Sequence, residues 1–524
     1  MHSLNIRSKH LLDLPEDILH EILRNLDYHA LVRCRLLCKF VHHIIQTHSE
    51  FQYVIELEKG GMMDRDASGL PHSERLTRLR SQREAWHKLT WKHETIVPVY
   101  GDCDAYELVS GVFAKTSSQG DFYVATLPSS TDPGHESHTD LGMRPRDFAI
   151  DPTQDLSFVL EADETPFSRS EGRQVRIHVW KLGTKMPHPE ARSPVLPFEV
   201  YPHSEWGNQL VCVSLQPAGD VVGAVVSRGP EIRILIFNWK RGDLLSDSHV
   251  YGLPESAYDF SFISPRAFIV TTTAGSGTIQ VYAFKDTPAT PCLAITLHFP
   301  ALRQFSALHQ ANAHSEALCG GTSDRSPFGT AMESRLHVIT LQYTTGAMFF
   351  HSVYLLFTHN RTFLDYVSAV ESGTMLAGSD IKWEDWGPEK SRFCSSQVPY
   401  TWARYVQGQQ VICPPFDEDG TQCIRILDFN VPDKPEVDNP VPSADDNSGV
   451  VQELHSSPEI IPASNVFMQD VITQLPYCAT ARLLSLDEEK DQAYMIDQER
   501  VVGLQVDIVS NGRRIRGLHV LSFS

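Results

Sequence analysis

The side chains best able to do chemistry here are cysteines and histidines, and their spacing argues against a catalytic or metal centre. Ten cysteines stand at positions 34, 38, 103, 212, 292, 319, 394, 413, 423 and 478. None form a Cys-x-x-Cys pair, and no histidine pair sits beside them at zinc-ligand spacing. Cys34 and Cys38 are four apart within a helical apolar stripe, where a free thiol packs like a small hydrophobe. The 24 histidines contain no His-Glu-x-x-His, and His42-His43 read as solvent-facing on a helix. Gly-x-Ser-x-Gly and the Walker phosphate loop are both absent. Gly275-Ser276-Gly277 lies between strand-like runs with no helix after it, so it reads as a hairpin turn. Asp417-Glu418-Asp419-Gly420 lacks the alternating ligands of a calcium loop and reads as a β-turn. The expectation is a non-catalytic chain with no metal and no cofactor.

Other chemistry is bounded by length and charge. At 524 residues the chain exceeds one ordinary domain, and its 41 % hydrophobic and 21 % charged content suits a large globular core. Sixty-five acidic against 45 basic side chains give a net charge of −20. Such a surface repels phosphate backbones and anionic lipid, so neither nucleic acid nor membrane is the expected partner. No apolar h-region follows Arg7 and Lys9, and no run of ~18 apolar residues occurs. Scattered cysteines suit a reducing compartment, and the expectation is an intracellular protein, cytoplasmic or nuclear. Asn360-Arg361-Thr362 then matches the glycosylation sequon by accident.

If the chain carries no reaction of its own, its elements must serve binding. Residues 11–48 open on a Leu-Pro start, where Pro15 suits a first helical turn and Asp13 offers a cap. Ile18, Leu19, Ile22, Leu23 and Leu26 recur at helical steps, and Asp27 offers a second cap. Leu31, Cys34, Leu37, Cys38, Val41, Ile44 and Ile45 continue the period. Two or three short helices result, with more apolar surface than about forty residues hide among themselves. That surplus reads either as a partner-binding face or as a cap on the rest of the chain.

Residue order resolves these alternatives. Leu14-Pro15-Glu16-Asp17-Ile18-Leu19, then Ile22-Leu23 with Leu26-Asp27, then the stretch from Leu31 through Cys34 to Cys38-Lys39, closely resembles the F-box. The resemblance implies a small helical bundle that binds the Skp-type adaptor of SCF ubiquitin ligases. Carried over by motif, the adaptor-binding residues are Leu14, Pro15, Ile18, Leu19, Ile22, Leu23, Leu26, Leu31, Leu37 and Cys38. The family often places an aromatic three residues after the Cys, where this chain has Val41 preceded by Phe40.

Residues 61–72 read as a linker, and the stretch after Ser73 reads as an amphipathic connecting helix. Its Trp86, with Trp91 beyond, is expected to pack on the next domain, and the alternative is a basic helix for a partner. From about residue 95 the pattern changes to short alternating or apolar runs broken by Gly, Pro, Asp and Ser. Three stretches share one grammar of strand, turn, strand, strand. Residues 146–160 turn at Asp151-Pro152 and lead to 175–180; residues 210–226 turn at 217–220 and lead to 232–239; residues 258–272 turn at 264–266 and lead to 279–284. Weaker copies are read at 336–343, at 411–413 with 423–429, and at 479–496. Such a period is how propeller blades read, six to eight of them, and the alternative is a large β-sandwich pair or an irregular all-β domain.

The predicted architecture is therefore α+β and multidomain: an all-α F-box module over 1–60, a linker and connecting helix over 61–94, and an all-β, propeller-like domain over 95–524. Residues 431–465, rich in Pro, Ser and acidic side chains, read as a mobile insertion, an unconstrained loop by default, with a regulatory segment whose Ser443, Ser456 and Ser457 accept phosphate as the alternative. Four later segments are similar to those of large fungal F-box proteins: Ile381 to Pro388 with Arg392-Phe393, Trp402-x-Arg404-Tyr405-Val406-x-Gly408, Ile426 to Asn430, and Ile496 to Gly503. Together the resemblances imply a substrate receptor that binds a Skp-type adaptor and a cullin scaffold at one end and an unknown substrate protein at the other. The rival expectation is a protein-interaction scaffold built on a propeller and outside any ligase. A catalytic site gathered from distant blades is the third.

Overall fold

The protein is described by a computed structural model covering all residues except 1–13, 66–68, 130–131, 162–172, 201–211, 229–230, 322–326, 346–349, 397–403, 417–420, 432–448, 485–490 and 510–511. Asp13, Trp402, residues 417–420 and Ser443 thus lie outside the described residues. The described residues fall into two compact units, one within Met1–Glu84 and Ser323–Gly329, the other within Ala85–Thr322 and Thr330–Ser524.

The first unit is helical. Its helices run Glu16–Arg24, Tyr28–Cys34, Lys39–Thr47 and Ser49–Lys59. Pro15 stands at the first N-cap, and Asp27 caps the second helix by accepting from the Ala30 amide at 2.8 Å. Leu19, Leu23, Leu31, Val41, Ile44, Ile45, Phe51 and Ile55 form one core, with Cys34 and Cys38 packed at its edge. A second cluster joins Tyr53 and Leu57 to Leu76 and Leu79 of the long helix His72–His87, and Phe328 completes it. Burial of Leu76 and Leu79 there extends the unit to Glu84, beyond the linker the composition suggests. Arg83 donates to Glu56 at 2.6 Å and Arg75 to Asp64 at 2.5 Å, so these arginines are spent within the unit.

The second unit is a propeller of seven sheets, each of four or five described strands. Blade 1 opens with Ala105–Val109, blade 2 with Pro145–Asp151, blade 3 with Cys212–Ala218 and blade 4 with Ala257–Ser264. Blade 5 opens with Ser306–Ser315, blade 6 with Val406–Gln407 and blade 7 with Ala493–Ile496. These first strands neighbour one another around the ring, which makes them the inner strands. The three strongest repeats of the sequence are blades 2, 3 and 4, with their turns where the prolines put them. The stretch 479–496 is not one copy: Tyr477–Leu483 belongs to blade 6, and Ala493–Ile496 starts blade 7.

Two-sided burial explains why the strands carry apolar runs. In Glu231–Asn238 of blade 3, Leu235 and Phe237 pack with Phe158 and Val179 of blade 2. The intervening Ile234 and Ile236 pack with Phe260 and Phe268 of blade 4. Successive side chains point to opposite faces, so the stretch sandwiched between blades, Ile234 to Phe237, is a continuous apolar run. Each such side chain contributes roughly 1.5–3 kcal/mol by leaving water. Between Ala267–Thr272 and Thr278–Ala283 the hairpin turns at Gly277, whose φ of +81° and tight fit against Thr272 and Leu308 admit no side chain.

The β-rich region departs from the sequence reading in two places. Helices Asn360–Glu371 and Trp383–Lys390 interrupt it, the first burying Phe363 and Val367 at helical spacing. Within the stretch read as a loop, Val450–His455 and Glu459–Ile461 are strands. Val450–His455 is the outermost strand of blade 6, and an edge position tolerates its polar, half-exposed pattern.

Blade 7 closes the ring by mixing chain ends. His93–Pro98 pairs antiparallel with Gly512–Ser522, from His93↔Ser522 to Pro98↔Gly517. The imidazole of His519 bridges this seam, its Nδ1 at 2.9 Å from Asp491 and its Nε2 at 2.9 Å from Glu94. Burial pushes the ring toward neutrality, but the two carboxylates outweigh it and hold its pKa up at about 9. A raised pKa gives stability that is complete below the ordinary 6.5 and is lost as pH rises through about 9. The melting temperature should therefore fall between these values, and His519→Gln should flatten that slope while lowering the plateau. A wild-type melt that is level across the window would contradict the bridge.

Candidate functional site

Among the described residues no group of three or more His, Cys, Asp or Glu side chains is arranged to hold a metal ion. Helix Glu16–Arg24 presents two neighbouring faces, one inward and one outward. Leu19 and Leu23 point into the core, while Ile18 and Ile22, one turn apart, are 48 % and 37 % exposed. Leu31 is fully enclosed. Pro15 is exposed, Leu14, Leu26 and Cys38 are half-buried at the rim of the core, and Leu37 is exposed in the turn after the second helix. Of the ten residues named from the motif, Leu19, Leu23 and Leu31 thus hold the helices together from beneath. Pro15, Ile18, Ile22 and Leu37 face outward.

Sequence periodicity missed two residues of this surface. Leu36 is 84 % exposed, and Phe40 is exposed at the start of the third helix while Val41 beside it is buried. Phe40 therefore supplies an outward aromatic next to the position where the family pattern places one. A run of Leu-Leu-Cys-Lys-Phe without room for all its apolar groups inside a three-turn helix was the available signal. Large exposed apolar side chains concentrated on so small a unit mark an interaction surface.

The propeller offers a second kind of surface, the part-buried charged groups on and beside its inner strands. Arg404 forms a two-toothed pair with Glu107 of blade 1, at 2.5 and 2.6 Å, and also donates to the Ser315 carbonyl at 3.4 Å. Burial pushes the Asp147 carboxyl up to about 7, against hydrogen bonds from the Phe148 and Leu215 amides. Asp259 is pushed up to about 6 by the same cause, while accepting from Ala313 at 2.8 Å and Phe260 at 2.8 Å. His314 is driven down to about 4 by burial and by Arg404. Asp147 and Asp259 each precede a phenylalanine, in the repeats of blades 2 and 4, a coincidence visible in the sequence but not singled out there. Each binds an amide of the following blade, so these carboxylates join blades and leave little free valence for a ligand.

The four later segments singled out in the sequence have the same character. Arg404 is the pair just described; Arg392 donates to Glu459 at 3.0 Å and to the Ser457 carbonyl; Arg500 pairs with Asp497 at 3.4 Å and donates to the Pro128 carbonyl at 3.1 Å. Trp383 and Trp386 are core. These motifs are spent on the protein's own packing, in the blades or, for Ile381 to Pro388, in a helix inserted within blade 5.

The outward and inward faces of the first helix separate by stability. Leu23→Ala should cost about 2–5 kcal/mol in denaturant unfolding, and Ile18→Ala or Ile22→Ala about 0.5 kcal/mol or less. Equal losses at all three positions would mean the outward pair is covered in the free protein.

Comparison with known proteins agrees with this geometry at one end of the chain. The F-box domain family model matches residues 11–53. No curated protein matches the chain. Among solved structures, the C-terminal WD40 domain of Sif2 is similar at 9 % identity and a TM-score of 0.31, over 82 % of this chain and 98 % of that one. Sqt1 of Chaetomium thermophilum gives 9 % and 0.34 over 81 % and 85 %, and the WD40 propeller of Doa1 gives 11 % and 0.32 over 82 % and 98 %. Scores this low carry no weight beside the seven sheets themselves. The chain is an F-box domain at residues 11–53 followed by a seven-bladed β-propeller.

Proposed function

We propose that this chain is the substrate-recognition subunit of an SCF-type ubiquitin ligase, docking a Skp-type adaptor, and through it a cullin, by the F-box and holding a substrate protein on the propeller. The observation that carries the reading is the outward apolar set on the F-box. Pro15, Ile18, Ile22, Leu36, Leu37 and Phe40 lie exposed on a unit whose own core is already complete. In this reading those residues meet the adaptor, with Leu14, Leu26 and Cys38 at the margin, and Leu19, Leu23 and Leu31 keep the helices in register.

The receptor does no bond chemistry in this account. Its contribution is proximity: a substrate held on the same assembly as charged ubiquitin presents its lysines at a high effective concentration. A propeller suits that task because its loops stand on a rigid wheel and hold several side chains in fixed relation. The acidic surface favours partners that are neutral or basic.

Co-purification of the full chain with a Skp-type adaptor and a cullin tests the proposal. Ile18→Asp with Ile22→Lys places each charge where the helix dipole tolerates it and removes two apolar anchors of roughly 1.5–3 kcal/mol each. The double variant should lose the adaptor by about a hundredfold or more in affinity, and retain the wild-type melt. Undiminished adaptor binding defeats the assignment. Adaptor bound by the wild type without cullin would favour the scaffold.

A further inference from the structure

Two insertions outside the four-strand frames of the blades meet against blades 4 and 5. The first lies between Phe350–His359 and Ser391–Ser396 of blade 5 and holds the helices Asn360–Glu371 and Trp383–Lys390. Its short strand Ser379–Ile381 adds in parallel to Cys292–His298, the outer strand of blade 4. The second lies between Val450–His455 and Tyr477–Leu483 of blade 6 and forms the hairpin Glu459–Ile461 with Val471–Thr473. It is tied down by Met468 N–H to Ala301 O at 3.0 Å, Arg303 N–H to Val466 O at 2.9 Å and Gln474 N–H to Pro388 O at 3.0 Å. Phe467 plugs it into a core with Trp383, Trp386, Phe393 and Tyr354. Ordering so much chain outside the blades costs about 1–2 kcal/mol of backbone entropy per residue, and the blades are complete without it.

What the two insertions build together is a cleft of about 160 Å³ lined by Pro300, Trp383, Glu384, Pro388, Asp470 and Ile472, among others. Its walls are mainly apolar, and Glu384 and Asp470 are the charged residues in its lining. Glu384 has no ion-pair partner among the described residues, and Asp470 spends one oxygen on the Ala463 amide at 2.7 Å. Along the same hairpin Ile460 and Ile472 sit directly opposite one another, 54 % and 45 % exposed. Lys382 and Lys390 flank the helix, but the exposed carboxylates of Glu384, Asp385 and Glu389 outnumber them.

We infer that this cleft and the Ile460–Ile472 face dock an extended protein segment carrying a lysine or arginine beside apolar residues; the inference rests on the substrate-receptor reading. A space of this size is close to the roughly 150 Å³ that holds a benzene ring, so the stem of one long cationic side chain fills it. Lysine and arginine bury such stems along apolar walls while the charged head stays at polar groups, here the carboxylates of Glu384 and Asp470. The apolar neighbours in the segment cover Ile460 and Ile472, a cross-strand pair of the kind that packs against a third side chain. An acidic segment would meet like charge from Glu384, Asp470 and a chain of net charge −20.

The test uses the full chain and an array of synthetic nonapeptides with apolar flanks, in which the central residue is varied through the common amino acids and phosphoserine. Central Lys and Arg should be retained above Ser, Asp and Glu. Glu384→Lys with Asp470→Lys should abolish that preference by about tenfold or more, and Ile460→Ser with Ile472→Ser should weaken retention of every peptide. Both variants alter exposed positions and should keep the wild-type melt and the wild-type level of adaptor co-purification. A central preference for Asp, Glu or phosphoserine, no central preference, or binding unchanged in the variants overturns the inference. So does a wild-type dimer, seen by sedimentation, that Ile460→Ser with Ile472→Ser dissociates. Failure of the wild type to bind an adaptor would remove the receptor reading and leave the peptide result standing.

Discussion

Everything in the propeller depends on one strand pairing, that of His93–Pro98 with Gly512–Ser522. Without it blade 7 lacks its outer strand and the wheel has no ring closure between the two ends of the chain. Backbone hydrogen bonds supply the pairing, and the Trp86 indole reinforces it by stacking on Phe523 with ring centroids 3.9 Å apart. Trp86 also donates to the Gln498 carbonyl at 3.2 Å, which fastens the entering chain to the last blade. Pro98 is tolerated because it ends an outermost strand, where one side needs no donor.

Inside that closed ring the blades are joined by side chains that reach the backbone of the next inner strand. Asp147 of blade 2 accepts from Leu215 of blade 3 at 3.2 Å, Gln216 of blade 3 donates to Phe260 O of blade 4 at 2.8 Å, and Asp259 of blade 4 accepts from Ala313 of blade 5. Backbone groups on inner strands face a neighbour rather than bulk water, so each needs a partner from the chain. The hairpin ends are tied in the same way, as where Arg266 of blade 4 holds both oxygens of Asp220 of blade 3 at 2.8 and 2.7 Å.

The F-box unit follows another economy. Its core is small and is completed by residues far from it in sequence: Phe328, from a segment between two strands of blade 5, packs with Tyr53 and Leu79. Arg65 N–H bonds Pro327 O at 2.8 Å in the same unit. A module of about forty residues rarely has enough apolar area to fold firmly, and borrowed side chains make up the deficit. The outward apolar set is then free for a partner.

The sequence by itself determined the identity of the helical module, because the spacing of Leu14 through Cys38 is local and its caps, Pro15 and Asp27, act within one turn. It also pointed to blades for the rest, since strands buried on both faces carry apolar runs and the turns between them gather Gly, Pro, Asp and Ser. Only the tertiary structure decided which apolar residues of the module stay outside. Ile18 and Leu19 are chemically alike, and their fates differ by one step of rotation about a helix whose neighbours the pattern does not place. Only the tertiary structure, likewise, set the number of blades at seven and assigned Tyr477–Leu483 and Ala493–Ile496 to different ones, because degenerate repeats do not mark where one sheet ends. The meeting of residues 383–388 with residues 469–472 was equally out of reach. Contacts across that much chain are set by how sheets and insertions pack, and no local spacing records them.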